Sequence, residues 1–286
     1  MQNIFNRKAT KPVIIAGPCM AESIELLHSV VKPLRELAQE LNFDLIFKAS
    51  FDKANRTSID SYRGPGPEKA CSWFRELKSE YQDLKVLTDV HETSQITQVS
   101  EVVDVLQIPA FLCRQTDLVV EAVRSGRAVN VKKGQFLAPE NCQHILSKIR
   151  QAADQAKINP DFALTERGVT FGYGNLVVDM RSLKIMSDFN SPVIFDITHS
   201  LQLPAAGGTS GEVSGGLRNF APTLARAATA SGYLDGYFLE VHREPNSAKS
   251  DAATQLSVSQ AQALLRQIVP LWYHVKEASL IDSQFT

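Results

Sequence analysis

The stretch Asp44–Ser58, which reads Asp-Leu-Ile-Phe-Lys-Ala-Ser-Phe-Asp-Lys-Ala-Asn-Arg-Thr-Ser, decides the fold because the rest of the chain repeats its plan. Its apolar run at 45–47 is typical of a buried strand. A polar loop with three cations follows, Lys48, Lys53 and Arg56. A strand that delivers cations at its carboxyl end predicts an anion site. From this stretch alone, a solvated surface loop is an equal alternative.

Seven further apolar runs share this form and alternate with helical patterns, such as those over 26–41 and 177–186. The predicted strands are 13–18, 45–48, 85–90, 102–108, 128–132, 162–165, 192–197 and 236–241. Eight strands alternating with helices over this length predict one α/β domain, a closed (β/α)8 TIM barrel. The alternative is an open, doubly wound sheet. It is disfavoured because no Gly-x-Gly-x-x-Gly follows the first strand.

Composition narrows the class of protein. The 286 residues are 44% hydrophobic with a net charge of −1, which favours neither nucleic acid nor an anionic membrane as a partner. The four cysteines are widely spaced, which fits a reducing compartment. With no signal peptide or apolar span in the sequence, we expect a cytoplasmic protein. No linker divides the chain, so we expect an extension at 1–12, the barrel at 13–274 and a tail at 275–286.

Polar residues follow every predicted strand. Because the active site of such a barrel lies at the carboxyl ends of its strands, these side chains are expected to share one rim. They are Cys19, Lys48, Asp89, Gln107, Lys132, Arg167, His199 and Glu240.

Three of these residues follow strands one, seven and eight, which are neighbours in a closed ring. They are Cys19, His199 and Glu240, and Asp251 in the next loop offers a fourth ligand. Thiolate, imidazole and carboxylate suit a borderline divalent metal. The alternative is a buried structural cysteine beside a hydrogen-bonded histidine. Packing is the expected role of the other cysteines, Cys71, Cys113 and Cys142.

A cationic group shares the same rim. Lys48, Lys53, Lys132 and Arg167, with Arg56 further out, predict a substrate with more than one anionic group. The Gly-rich segment 207–216 suggests a mobile lid or a phosphate cradle, and the lid is favoured because the segment has no Walker pattern.

Several stretches resemble the 3-deoxy-D-manno-octulosonate 8-phosphate synthase family. They are residues 46–58, 88–92, 106–117, 130–136, 171–180 and 192–199. The resemblance implies a TIM barrel, usually a homotetramer. It also implies condensation of phosphoenolpyruvate with D-arabinose 5-phosphate and water, with release of phosphate, in lipopolysaccharide biosynthesis. Ala16-Gly17-Pro18-Cys19 resembles the metal-dependent branch, which has Cys where the other branch has Asn.

The resemblance also implies roles for individual residues. Cys19, His199, Glu240 and Asp251 become ligands of a divalent metal, and Fe, Mn, Zn and Co are not distinguished. Lys53, Asp89 and His199 are the candidate catalytic residues, with Asp89 near the sugar hydroxyls. Lys132 and Arg167 are implied to bind the phosphate of phosphoenolpyruvate. The residues implied near its carboxylate and the condensing sugar are Lys48, Ser50, Lys53 and Gln107. Asn55, Arg56 and Thr57 are implied to bind the sugar phosphate, with Arg56 reaching from a neighbouring subunit.

One position departs from the pattern, and two other functions compete. Thr57 stands where relatives often have Ser, but either hydroxyl can bind a phosphate. The first alternative is a 3-deoxy-arabino-heptulosonate 7-phosphate synthase that uses erythrose 4-phosphate. Its pattern has Pro-Arg-Thr after the lysine, where this chain has Ala54-Asn55-Arg56-Thr57. The second is a barrel that binds sugar phosphates without catalysis. His91 is a conceivable rim partner, and His242 is taken as structural.

Overall fold

Eight parallel strands form one closed ring in the computed structural model, which describes residues 3–7, 9–56, 58–170, 173–204, 215–278 and 284. Each strand pairs with the next, and the last pairs with the first through Val13 opposite Gly236. The predicted TIM barrel is confirmed. The strands are β1 (Val13–Gly17), β2 (Asp44–Lys48), β3 (Lys85–Asp89), β4 (Val105–Ile108), β5 (Ala128–Lys132), β6 (Phe162–Glu166), β7 (Val193–Asp196) and β8 (Gly236–His242).

Eight α-helices alternate with these strands among the described residues. Each turns an apolar stripe towards the barrel, as Leu27, Val30 and Leu34 do on the first helix. That helix begins at a Ser23 cap that accepts from the Leu26 amide, and the last begins at a Ser257 capping box. The helices are α1 (Ile24–Leu41), α2 (Pro67–Glu80), α3 (Thr93–Ser100), α4 (Thr116–Arg124), α5 (Cys142–Ala156), α6 (Arg181–Asp188), α7 (Ala221–Ala230) and α8 (Val258–Glu277).

The barrel interior has an apolar layer below a polar one. The apolar cluster inside the ring includes Ile46, Leu87, Val105, Ile194 and Phe238. Since side chains alternate along a strand, the next inward residue lies two positions further on, nearer the carboxyl end. Those residues are Lys48, Asp89, Gln107, Asp196 and Glu240, and all are buried. The strand period therefore places an apolar floor directly beneath a ring of polar side chains.

The N-terminal segment closes the opposite end of the barrel. Phe5 is buried within the apolar cluster of the interior. The backbone amides of Ile4 and Phe5 both donate to the carboxylate of Asp161, just before β6. The N-terminal segment thus covers the end of the barrel opposite the polar rim.

Five sequence-based expectations need correction or comment. The helix predicted over 177–186 begins only at Arg181, because Val177 pairs with Val169 in an isolated bridge. The strand predicted from 102 begins at Val105, since the amides at 102 and 103 continue the turn of α3 by bonding to Val99. Most of the predicted lid, at 207–214, lies outside the described residues, as does most of the tail. None of the helices described is long and apolar enough to cross a membrane.

Candidate active site

The four predicted metal ligands lie together at the rim. The thiol of Cys19 is 3.3 Å from Oδ2 of Asp251. Nε2 of His199 is 3.6 Å from Oε1 of Glu240 and 3.7 Å from Oδ2 of Asp251. Ligand atoms of Cys19, Glu240 and Asp251 all lie within 4.8 Å of one another. Residues from the first 20 positions and from the last 90 therefore meet at one point through closure of the ring.

The close approach of β1 and β2 depends on a glycine. A Cβ atom at Gly17 would lie 2.1 Å from the carbonyl oxygen of Lys48. Any side chain at Gly17 would separate the two strands, because real contacts are never that short. The chain then continues directly to Cys19, so this glycine lets the thiol and Lys48 share one corner of the site.

The donor set fits a divalent metal. Ligands about 2.0–2.3 Å from one tetrahedral ion lie roughly 3–4 Å from each other, which matches the observed separations. Oε2 of Glu240 is buried, and within the described part of the chain it has no hydrogen-bond partner, so it is free to ligate. Burial and the charge of Glu240 raise the pKa of the Cys19 thiol well above its ordinary value. A metal at this point would displace that proton.

Asp196 orients the imidazole of His199. Its carboxylate is fully buried and accepts from the His199 backbone amide at 2.9 Å. Its Oδ2 lies 2.8 Å from Nδ1 of His199, close but not aligned as a hydrogen bond. A carboxylate at Nδ1 favours the tautomer that leaves Nε2 free to bind a metal. Burial alone would raise the pKa of Asp196, but His199 and Lys132 hold it well below its ordinary value.

Two of the predicted anion-binding lysines already have carboxylate partners. Lys48 donates to Oε1 of Glu240 at 2.7 Å and to the carbonyl of Cys19 at 2.8 Å. Lys132 donates to Asp196 and lies over the ring of Phe238. Burial lowers the pKa of Lys132 to about 8, even with Asp196 beside it. The cations therefore hold the site together as well as offering charge to a ligand.

Arg167 keeps one face available. Its guanidinium is buried, and Nη2 donates to Oε1 of Gln202 at 2.6 Å. Nη1 is also buried but is without a partner among the residues that the structure describes. The Nε2 amide of Gln202 in turn donates to Asp251 at 3.3 Å. Gln202 thus joins the free guanidinium, which suits an anionic ligand, to one of the candidate metal ligands.

A hydrogen-bond relay crosses the interior from β6 to β3. Thr165 donates to Asn130 at 2.7 Å, Asn130 donates to Gln107 at 2.9 Å, and Gln107 donates to Asp89. Every donor points towards Asp89, which also accepts from Ser50. Because an ionised carboxylate only accepts, Asp89 fixes the amide orientation of Gln107 and hence of Asn130.

Lys53 lies between the relay and the candidate metal ligands. Its ammonium donates to Ser50 at 3.0 Å and lies 4.0 Å from Asp89 and 3.9 Å from Glu240. Burial would lower the pKa of Lys53, but the surrounding acidic groups raise it, so this group stays charged. Lys48 and Lys53 likewise hold the pKa of Asp89 below its ordinary value against the effect of burial.

The residues expected at the sugar phosphate lie further out. Asn55 is exposed, and Thr57 lies outside the described residues. Arg56 donates to the carbonyl of Lys249 in its own chain at 2.6 Å, above the loop that carries Asp251. Its expected role in a neighbouring subunit stays a prediction.

Sequence reasoning missed several buried residues of the site. Asn130, Thr165 and Asp196 each lie two positions from an inward-facing residue of the same strand, so the strand period was the signal that would have found them. Gln202 lies in a two-residue strand that pairs with Gly215–Gly216, and Gln255 lies in a loop. Neither segment is long enough for a periodicity to indicate which side chains meet. His91 contacts the Phe51 ring edge-on and, like His242, is not among the candidate ligands described above.

Known proteins resemble this chain over most of its length. The model of the DAHP synthetase I family matches residues 1–277. A 2-dehydro-3-deoxyphosphooctonate aldolase of Helicobacter pylori (strain P12) is 49% identical over 274 residues, covering 93% of this chain and 97% of that protein. The protein of the same name from Burkholderia multivorans is 48% identical over 273 residues, which cover 95% of this chain and 94% of that protein. The Brucella anthropi protein of that name is 51% identical over 256 residues, which cover 90% of this chain and 89% of that protein.

Proposed function

The chain belongs to the DAHP synthetase I family, and from this premise we propose that it condenses phosphoenolpyruvate with D-arabinose 5-phosphate and water. The products are 3-deoxy-D-manno-octulosonate 8-phosphate and inorganic phosphate. The names of the similar proteins describe this eight-carbon phosphorylated acid. The single observation that supports it best is the convergence of Cys19, His199, Glu240 and Asp251 beside the buried, half-free guanidinium of Arg167.

Phosphoenolpyruvate would bind across Arg167 and Lys132. Arg167 offers Nη1 to the phosphate while Nη2 stays on Gln202. Lys132 lies on the neighbouring strand and carries the second charge. Two fixed cations hold an anion that would otherwise repel a second phosphorylated substrate, and the fixed orientation brings the reacting carbons together.

The sugar aldehyde would lie near Lys53, Ser50 and Asp89. In the reaction, C3 of phosphoenolpyruvate attacks the aldehyde, water adds at C2, and phosphate leaves. The charged Lys53 can stabilise negative charge that develops on the aldehyde oxygen. Asp89, an obligate acceptor, can accept a hydrogen bond from a sugar hydroxyl.

A divalent metal would be held by Cys19, His199, Glu240 and Asp251. When bound, such an ion can polarise an aldehyde or lower the pKa of a water molecule. His199 would keep its orientation through Asp196, and Lys48 would remain on the second oxygen of Glu240. We leave the identity of the metal open among Fe, Mn, Zn and Co.

Paired substrate assays test the proposal. Purified protein with phosphoenolpyruvate and arabinose 5-phosphate should release phosphate, with kcat/KM at least tenfold above that for erythrose 4-phosphate. Faster turnover of the four-carbon sugar would favour the heptulosonate reaction instead. Binding of both sugars with no phosphate release would favour a non-catalytic barrel.

Metal content tests the ligand set separately. Cys19→Ala should lose bound metal, whereas Cys71→Ala should retain it, because Cys71 packs in α2 away from the rim. Strong chelator should abolish activity and a divalent metal should restore it. Full activity in chelator would overturn the metal assignment while leaving the condensation itself in place.

We propose a homotetramer, which the resemblance to the synthase family implies. Large apolar side chains are exposed in the loops after β2, β4 and β5: Ile59 is 96% exposed, and Phe111 and Phe136 are each 56% exposed. A subunit interface would bury apolar surface of this kind. Light scattering after size exclusion should give four times the mass of one chain, and a monomer at micromolar concentration would exclude the assembly.

Two coarser assignments accompany the function. We propose one barrel domain at 13–274, preceded by the segment 1–12, whose Phe5 packs into the barrel interior, and followed by the tail 275–286. Limited proteolysis should trim the tail first. We propose a cytoplasmic location, supported by four free, buried cysteines. Fractionation of cells that express the chain should place it in the cytoplasmic fraction.

A further inference from the structure

Gln255 links the two ends of the chain behind the candidate metal ligands. Its side chain is fully buried, just before α8. Its Oε1 accepts from the backbone amide of Cys19 at 3.1 Å, and its Nε2 donates to the carbonyl of Ser250 at 2.7 Å. These contacts lie beside two metal-ligand positions that are 232 residues apart in sequence. The proposed reaction assigns Gln255 no task.

The loop around Asp251 needs such support. Asp251 has a φ of 47°, in the left-handed region that non-glycine residues seldom adopt. Its carbonyl accepts from the amides of Thr254 and Gln255 at 3.0 and 3.1 Å. The Gln255 side chain holds the preceding residue, Ser250. Backbone and side chain of Gln255 therefore fix both sides of the residue that carries the carboxylate.

We propose that Gln255 is a positioning residue that sets the separation between the Cys19 thiol and the Asp251 carboxylate, and thereby the affinity for the metal. The inference rests on the proposed metal site. The primary amide of Gln255 offers an acceptor to the Cys19 amide and a donor to the Ser250 carbonyl at once. Leucine offers neither, and glutamate offers only acceptors, which would oppose the Ser250 carbonyl.

Zinc affinity of the metal-free full-length protein tests this positioning role. Competition against a chromophoric chelator gives the dissociation constant for Zn²⁺. Gln255→Leu should weaken it about 10- to 100-fold, the range typical of residues that orient metal ligands. Gln255→Glu, which keeps the size and the acceptor to Cys19, should fall between wild type and Gln255→Leu. Gln260→Ala, at an exposed capping glutamine of the same segment, should bind like wild type.

Cobalt absorption separates positioning from general support of the fold. The thiolate-to-cobalt charge-transfer band reports whether Cys19 ligates the ion. It should weaken or shift in both Gln255 variants even where circular dichroism matches wild type. If Gln255→Leu does not fold, the zinc affinity and the cobalt charge-transfer band of Gln255→Glu serve as the test of the positioning role.

Three outcomes are distinguishable. Weakened zinc binding with an altered cobalt band supports the positioning role. Wild-type affinity and an unchanged band in Gln255→Leu or Gln255→Glu, while Cys19→Ala loses zinc, would overturn this inference and leave the proposed metal site intact. Wild-type zinc affinity in Cys19→Ala would overturn the metal site and the role of Gln255 together.

Discussion

Asn130 offers the sharpest test of the relay that ends at Asp89. Asn130→Leu keeps the branched shape and the number of side-chain heavy atoms but removes one acceptor and one donor from a fully buried position. Oε1 of Gln107 and the hydroxyl of Thr165 then lose the partners they have in the native structure. An orphaned buried polar group costs about 1–3 kcal/mol, so two cost about 2–6 kcal/mol of the free energy of unfolding.

The second substitution makes the test specific to the relay. Thr165→Val alone orphans only Oδ1 of Asn130, at a cost of about 1–3 kcal/mol. In the double variant, Leu and Val face each other and only Gln107 lacks a partner. The double variant should therefore be more stable than Asn130→Leu alone, by about 1–3 kcal/mol.

Urea unfolding at one fixed protein concentration measures the four proteins. Phosphate release, measured in parallel, should show a fall in kcat for Asn130→Leu, because Gln107 is free to turn its amide away from Asp89. Destabilisation of the double variant equal to the sum of the two single variants would refute the relay. So would a change below about 0.5 kcal/mol in Asn130→Leu, since that is the level of an ordinary surface substitution.

Three further predictions concern pH and packing. Burial lowers the pKa of Lys132 to about 8, so its ammonium loses charge and the KM for phosphoenolpyruvate should rise as pH increases through 8. Lys132→Arg should move that rise in KM to higher pH, because a guanidinium stays charged. An unchanged dependence of KM on pH in the variant would exclude a binding role for this ammonium. Desolvation lowers the pKa of His91, so the folded protein binds this proton more weakly than the unfolded chain, and stability present above about pH 6.5 is lost as pH falls. The drop in unfolding free energy between pH 7.5 and 5.5 should therefore be smaller in His91→Phe, and equal drops would contradict the assignment. Phe5→Ala should lower the free energy of unfolding by about 3 kcal/mol, because it leaves a cavity at the end of the barrel that the N-terminal segment covers. Ile59→Ala, at a 96% exposed position, should lower it by less than about 0.5 kcal/mol. Equal losses in urea unfolding would show that Phe5 does not fill the core.

The barrel was predictable because two periodicities alternate along the chain. Residues 45–48 and their seven counterparts are short and apolar, and helical patterns such as 26–41 separate them. A closed ring was expected because eight such units are the number that a TIM barrel contains. The strands that lead to Cys19, His199 and Glu240 are neighbours in such a ring, so the sequence predicted that these three side chains meet. The helix predicted over 177–186 started too early because a short apolar run can also pair as a bridge.

Other parts of the site depend on contacts that no local pattern encodes. The contact of Gln255 with Cys19 joins residues 236 positions apart through loops. The pairing of Lys48 with Glu240 and of Lys132 with Asp196 was also unforeseen, although each lysine was placed correctly at the rim. Sequence pattern gives the end of the barrel at which a side chain lies. Which carboxylate neutralises which ammonium depends on distances of a few ångströms across the interior.

The position of the proposed metal ligands along the chain would have a consequence for biosynthesis. A nascent polypeptide that has left the ribosome only as far as Ala230 carries Cys19 and His199 but neither Glu240 nor Asp251. Because two of four ligands hold an ion weakly, tight binding of a metal at the proposed site would have to wait until translation has passed β8. An ion bound there would then link residues near both ends of the chain across the pairing of β1 with β8.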